Sequence, residues 1–270
     1  MKTYIHHHLG MGDMIMCNGL VRHLSEGIKK NEKIYLFSKN CYLKLVKFMY
    51  RDNKKIKIIG IDEKKCEYKE IAKILKSNKN KKINFLRIGH EFYHLTANLN
   101  LDKNNPWPCD IIFYKQLNIP FQYRFEKCFW KRDIISEKKL FNKIITSKEP
   151  YAFIHDDPDK GYLVNTSYVN PKLKIIKNDK KYSIFDYGLI IENASEVHLM
   201  ESVFRHVTET LCTKNIKLFL HDFRKGASAV NLLTEKKEWV GTSKVWNIIK
   251  YNQRQNYKNI FWRRERDSNP

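Results

Sequence analysis

No stretch of this sequence approaches the run of roughly 20 apolar residues that a bilayer-spanning helix needs. The opening MKTYIHHHLG also lacks the apolar segment of a secretory signal and reads as a buried strand. Both absences point to a protein made and kept in the cytoplasm. Cysteine is sparse. Cys17, Cys41, Cys66, Cys109, Cys128 and Cys212 form no CxxC pair and show no metal-ligand spacing, so reduced, mostly buried thiols are expected and no metal site. The chain has no helix-turn-helix, zinc-finger or aromatic RNA-binding strand signature.

What is present describes a folded, basic protein. Apolar residues make up 42% of the 270 and aromatics 13%, which argues against general disorder. Lysine and arginine outnumber acids 51 to 29, for a formal charge of +22. Phosphate contacts to nucleic acid would use such charge. So would attraction of a phosphorylated donor or an anionic membrane-bound acceptor. The plainest explanation is a solvated lysine surface, because the lysines are spread along the whole chain. Charge alone leaves all three open.

Short β-branched runs alternate with amphipathic stretches. Strands are expected at 3–8, 33–37, 56–61 and 83–88, with helices at 14–28, 41–50 and 68–76 between them. Residues 89–107 read as a long functional loop. Helices are expected at 110–117 and 134–145, joined by a connection at 124–133. Alternation then restarts, with strands at 151–155, 173–177 and 216–221, an extended piece at 196–198, and helices at 184–192 and 201–212. Interleaving of this kind gives parallel sheets covered on both faces. The expected fold class is therefore α/β, as two Rossmann-like domains facing a cleft. The first spans 1–148, the second 149–251, and a basic polar tail follows at 252–270.

Three segments carry candidate chemistry. In HHHLGMGDMIMCNG, a glycine turn between strand and helix lets a ligand approach the backbone, with helix N–H groups beyond it. The turn is neither GxGxxG nor a lysine-bearing phosphate loop. Asp13 stands where phosphate would be repelled, which suits a helix cap or a base. His6, His7 and His8 alternate across the strand, so at most two share a face. The segment HDDPDKG, from His155 to Gly161, follows a strand, and ligands of doubly wound sheets bind beyond strand carboxyl ends. Lys160 is a candidate phosphate contact there, although a plain Asp- and Pro-rich turn fits as well. In ENASEVHLMESVF, Glu196 and His198 share a face and Ser202 opens a helix. A ribose-binding carboxylate beside a diphosphate would look like this; so would the first turn of an ordinary helix. Arg224 follows another strand and is a candidate diphosphate clamp.

The opening LGMGD before an apolar helix resembles bacterial heptosyltransferase-type enzymes and related GT-B glycosyltransferases. Its pairing with the late ENASEVHLMESVF is similar to GT-B-like glycosyltransferases of surface-glycan clusters. The resemblance implies a short GT-B fold whose first domain takes the acceptor and whose second binds a nucleotide-sugar. It implies Asp13 as general base, with Gly10, Gly12 and His8 beside it. Contacts to the donor would come from Glu196, His198 and Ser202; His155, Lys160 and Arg224 stay further substrate-binding candidates by their place at strand carboxyl ends. The implied reaction is a metal-independent, inverting sugar transfer to a glycan or lipid-linked acceptor, with no cofactor beyond the nucleotide-sugar co-substrate. An anionic membrane surface is a further partner, at the inner membrane face, and no specific nucleic acid is expected. The rivals are a basic nucleic-acid-binding protein and a GT-B-like protein that binds glycan without transferring it.

Overall fold

The computed structural model describes residues 2–78, 82–89, 109–223 and 244–251. The expected loop at 90–107, Arg224 and the tail from 252 lie outside the described residues. The chain divides into two compact units, Met1–Arg132 and Asp133–Pro270.

The first unit is a parallel sheet in the order β3-β2-β1-β4. The strands are β1 (Lys2–His6), β2 (Lys33–Lys39), β3 (Ile56–Ile61) and β4 (Ile83–Arg87). β1 is central and nearly all buried, as a run of β-branched and aromatic residues covered on both faces should be. It ends at His6, two residues short of the expected 3–8, because His7 and His8 already belong to the turn. Pairing of β1 with both β2 and β4 places the reversal of strand order at the carboxyl ends of β1 and β4. In doubly wound sheets that crevice is where ligands sit.

The helix expected at 14–28 is two, α1 (Met11–Met16) and α2 (Asn18–Glu26). The hydroxyl of Tyr114, on α5 (Cys109–Gln116), is inserted into the turn between them. It accepts from the N–H of Leu20 and donates to the carbonyl of Met16, both at 3.0 Å. That replaces the direct backbone bond and divides the helix. Gly19 faces α6 (Tyr123–Glu126), where a Cβ would meet the Tyr123 carbonyl oxygen at 1.9 Å. α3 (Leu43–Met49) and α4 (Glu67–Lys76) complete the unit.

The second unit is a five-stranded parallel sheet, β6-β5-β7-β8-β9. Its strands are β5 (Tyr151–His155), β6 (Lys174–Lys177), β7 (Glu196–Met200), β8 (Lys217–Asp222) and β9 (Asn247–Lys250). Order reverses between β5 and β7, which pair in parallel register. One face is covered by α7 (Ile134–Ile144), α8 (Gly188–Glu192) and α9 (Val203–Glu209), with Phe153, Tyr187 and Phe204 packed ring to ring beneath them. Segment 164–173 lies over the other face, with Val164, Val169 and Leu173 against Ala152 and Ile154.

Two differences from the sequence reading concern organisation. The helix α7 belongs to the second unit, not to the first as a boundary at 148 requires. Its buried Glu137 accepts from the N–H of Leu189 at 3.0 Å and so satisfies the start of α8. β9 was not expected at all, because four residues at a sheet edge carry too little periodicity to be read.

Candidate functional site

In the first unit the turn His7–Gly10 and the residues after β4 meet at the strand-order reversal. His8 Nε2–H donates to the Gly89 carbonyl at 3.0 Å, and its ring stands edge-on to Phe113 at 5.1 Å. Gly89 has φ +79°, and a Cβ there would lie 2.1 Å from the Phe113 ring, so only glycine fits. Gln116 fixes this end of β4, accepting from the Gly89 N–H and donating to the Arg87 carbonyl.

Asp13 occupies the third position of α1, and its carboxylate reaches back to the backbone N–H of Gly10, which caps the helix. The side chain thus satisfies one of the open donors at the helix start. Gly10 makes the approach possible: a Cβ there would sit 2.6 Å from Asp13 Oδ2. Gly12, half-buried, lies in the same turn. Burial raises the Asp13 pKa and the nearby Asp110 carboxylate raises it further, against the opposing pull of His8 and two backbone N–H groups. Asp110 is itself buried and paired with buried Arg124 at 3.1 Å. A desolvated carboxyl with a raised pKa is a stronger base than a surface aspartate.

The three histidines part company. His6 turns to α4 and pairs with Glu67 at 2.5 Å. His7 is fully buried, with Nδ1–H donating to the His8 carbonyl at 2.6 Å; burial lowers its pKa to about 4. Only His8 joins Asp13.

In the second unit the carboxyl ends of β5 and β7 carry His155 and Ser202. His155 donates to Asn178 Oδ1 at 2.7 Å, and its ring lies 4.5 Å from that of Phe204. Buried Asp156 accepts from Lys177 Nζ at 2.8 Å. Lys160 closes the short 3-10 turn Pro158–Lys160, with Gly161 in the left-handed region behind it. Ser202 is extended and precedes α9, and its buried hydroxyl oxygen has no hydrogen-bond partner among the described residues. An unmet hydroxyl at a strand's carboxyl end is a natural ligand contact.

Glu196 and His198 do not join Ser202, which corrects the sequence reading. Glu196 opens β7 at its amino end, so six residues of extended chain, about 20 Å, separate it from Ser202. Both side chains are spent inside the unit. Glu196 Oε2 accepts from the Asn170 N–H at 3.1 Å and from His198 Nε2–H at 3.2 Å. His198 Nδ1 then accepts from His221 Nε2–H at 3.0 Å. His221 Nδ1 accepts from the Tyr251 hydroxyl at 2.6 Å, and that oxygen accepts from the Asn165 N–H at 3.0 Å. Every donor in the chain points the same way, which fixes both histidines as neutral Nε2–H tautomers. Burial lowers the pKa of both, that of His221 to about 3. Sequence reading saw the first half of this chain, through the alternation of Glu196 and His198. It missed His221 and Tyr251, which come to it only through strand pairing.

No protein-family model matches the sequence, and no curated protein matches it. Solved structures do. The chain is similar to a glycosyl transferase family 9 protein from Veillonella parvula DSM 2008, at 9% identity over 97% of this chain and 90% of that one, with a TM-score of 0.52. It also aligns with the ADP-heptose LPS heptosyltransferase II of E. coli, at 14% identity over 94% and 91% of the two chains, with a TM-score of 0.49. At such identities the Veillonella likeness defines the fold. Together with the two parallel sheets, it makes this a GT-B-type α/β chain built from two Rossmann-like units.

Proposed function

We propose that the protein transfers a sugar from a nucleotide-sugar to a hydroxyl of a glycan or lipid-linked acceptor. The observation that carries this reading is Asp13: a desolvated carboxyl with a raised pKa, held by Gly10 in the crevice of the first sheet. Asp13 takes the proton of the acceptor hydroxyl as its oxygen attacks the anomeric carbon. The bond to the donor's diphosphate breaks, and the nucleoside diphosphate leaves with the electron pair. Attack from the opposite side inverts the anomeric centre. No metal is required if protein groups steady the leaving charge. In the second unit Ser202, His155 and the 155–161 loop with Lys160 are the groups proposed for that task. The GT-B fold, shared with a glycosyl transferase family 9 protein, supports this division of labour.

The basic surface suits an anionic acceptor or membrane. Between Lys33 and Ile58 the chain carries eight lysines and arginines against Asp52 alone, and Asp52 is held by a two-pronged pair with Arg22. Lys47, Arg51, Lys54 and Lys57 share a groove of about 300 Å³ there. Among the described residues no helix is long and apolar enough to cross a membrane. A thermal-shift panel of ADP-, GDP-, UDP- and CMP-sugars tests the donor half. Stabilisation by one nucleotide class is expected, and none in well-folded protein would end the proposal.

A further inference from the structure

The second unit carries a group of aromatic rings that this chemistry leaves unused. Phe223, just after β8, stacks on Tyr251 with centroids 4.5 Å apart and planes 26° from parallel. It also meets Tyr162, at 5.5 Å and 31°. Tyr168 meets Tyr251 edge-on at 6.3 Å and is 48% exposed. Tyr162, Phe223 and Tyr251 are each half-buried. Four rings from three stretches of chain, the β5–β6 connection and the segments just after β8 and β9, thus converge on a surface at the carboxyl end of the sheet. β8 pairs with β7, so Phe223 follows the strand next to the one that leads into Ser202. Contiguous part-exposed apolar surface in such a place marks a binding site.

The shelf is also rigid. The Tyr251 hydroxyl is gripped on both sides, donating to His221 and accepting from Asn165, and the hydrogen-bond chain behind it runs without a gap to Glu196. We propose that Tyr162, Tyr168, Phe223 and Tyr251 form a stacking shelf for the nucleobase of the donor. The Glu196–His198–His221–Tyr251 chain is its positioning device. This rests on the reading that the second unit binds a nucleotide-sugar. Aromatic side chains take the face of a planar base by stacking more readily than the puckered, hydroxyl-bearing ring of a sugar. The base would rest on the shelf with the diphosphate at the Ser202 crevice. Tyr251, half-buried and held at its hydroxyl, is preordered for it, so little of its side-chain freedom is lost on binding.

The test is titration calorimetry of the full chain with ADP, GDP, UDP and CMP, each set against ribose 5-phosphate and inorganic pyrophosphate. The tightest nucleotide is then carried to Tyr168→Ala, an exposed site whose truncation leaves the fold intact, and to Tyr251→Phe. The expected result is a nucleotide that binds well above ribose 5-phosphate and weakens about ten-fold in Tyr168→Ala, the size of one lost stack. Pyrophosphate binding should stay unchanged. Histidine ¹⁵N spectra should show His198 and His221 as Nε2–H tautomers in the wild type. That single state should be lost for His221 in Tyr251→Phe, with weaker nucleotide binding. Nucleotide binding that is indifferent to Tyr168→Ala overturns the shelf and leaves the donor reading standing. Tyr168-dependent binding of methyl α-glucoside without such dependence for any nucleotide overturns it too. Absence of all nucleotide binding defeats both.

Discussion

Asp13 shows how little room separates a cap from a base. Its carboxylate serves the N–H of Gly10 and is at the same time desolvated beside His8 and Asp110. Gly10 is the residue that decides whether both are possible. Its φ of −68° suits any amino acid, so Gly10→Ala costs the backbone little. The added Cβ, 2.6 Å from Asp13 Oδ2, would displace the carboxylate. Gly10→Ala should therefore melt within a few degrees of wild type while sugar transfer falls by about 100-fold, the effect of a misplaced catalytic group. Equal losses in melting temperature and turnover would mean that the glycine is structural. The turn itself was legible in the sequence because strand, glycines and acid are contiguous. The fates of the three histidines were not, since burial of His7 and the Glu67 partner of His6 depend on α4.

At the scale of the element, periodicity located most strands to within a residue or two. It failed where a distant side chain intervened. The apolar spacing from Ile15 to Ile28 is that of one helix, and the break at Cys17 comes from Tyr114, nearly a hundred positions away. Tyr114→Phe leaves the Leu20 N–H and Met16 carbonyl without that bridge in a buried setting. A loss of about 1–3 kcal/mol is expected in urea denaturation; no change would mean that the helix heals by direct pairing. The misreading of Glu196 has the same origin. Its spacing from His198 correctly put both on one face, but nothing local revealed that the face is roofed by segment 164–170 and completed by His221 and Tyr251. Sequence showed which residues share a face, and only pairing showed what that face meets.

Across the whole molecule, the buried neutral histidines set the acid limit. His7 and His221 have pKa values lowered to about 4 and about 3, against 6.5 when unfolded. The unfolded chain therefore takes up protons below pH 6.5 that the folded chain refuses. The stability these two groups contribute is intact above pH 6.5 and is lost as pH falls toward their folded values. Each adds up to about 1.4 kcal/mol per pH unit to the slope in that window. Replacing His221 with Gln should flatten the fall in denaturation midpoint between pH 6 and pH 4, whatever it does at pH 7. An unchanged slope would mean that the His221 site is solvated. Asp13 acts with the opposite sign: its raised pKa means that stability is lost as pH rises through its folded value. Asp13→Asn should thus be no less stable than wild type at pH 7, and a catalytic defect in it cannot be ascribed to unfolding.

That stability makes Asp13→Asn the sharpest probe of the account. The decisive measurement is release of nucleoside diphosphate from the nucleotide-sugar that stabilises the protein, with glycan acceptor present, in wild type and Asp13→Asn at matched donor affinity. The account predicts turnover in the wild type and a loss of at least about 100-fold in the variant, with donor binding unchanged. Equal release by the two proteins would contradict it and remove Asp13 from the chemistry.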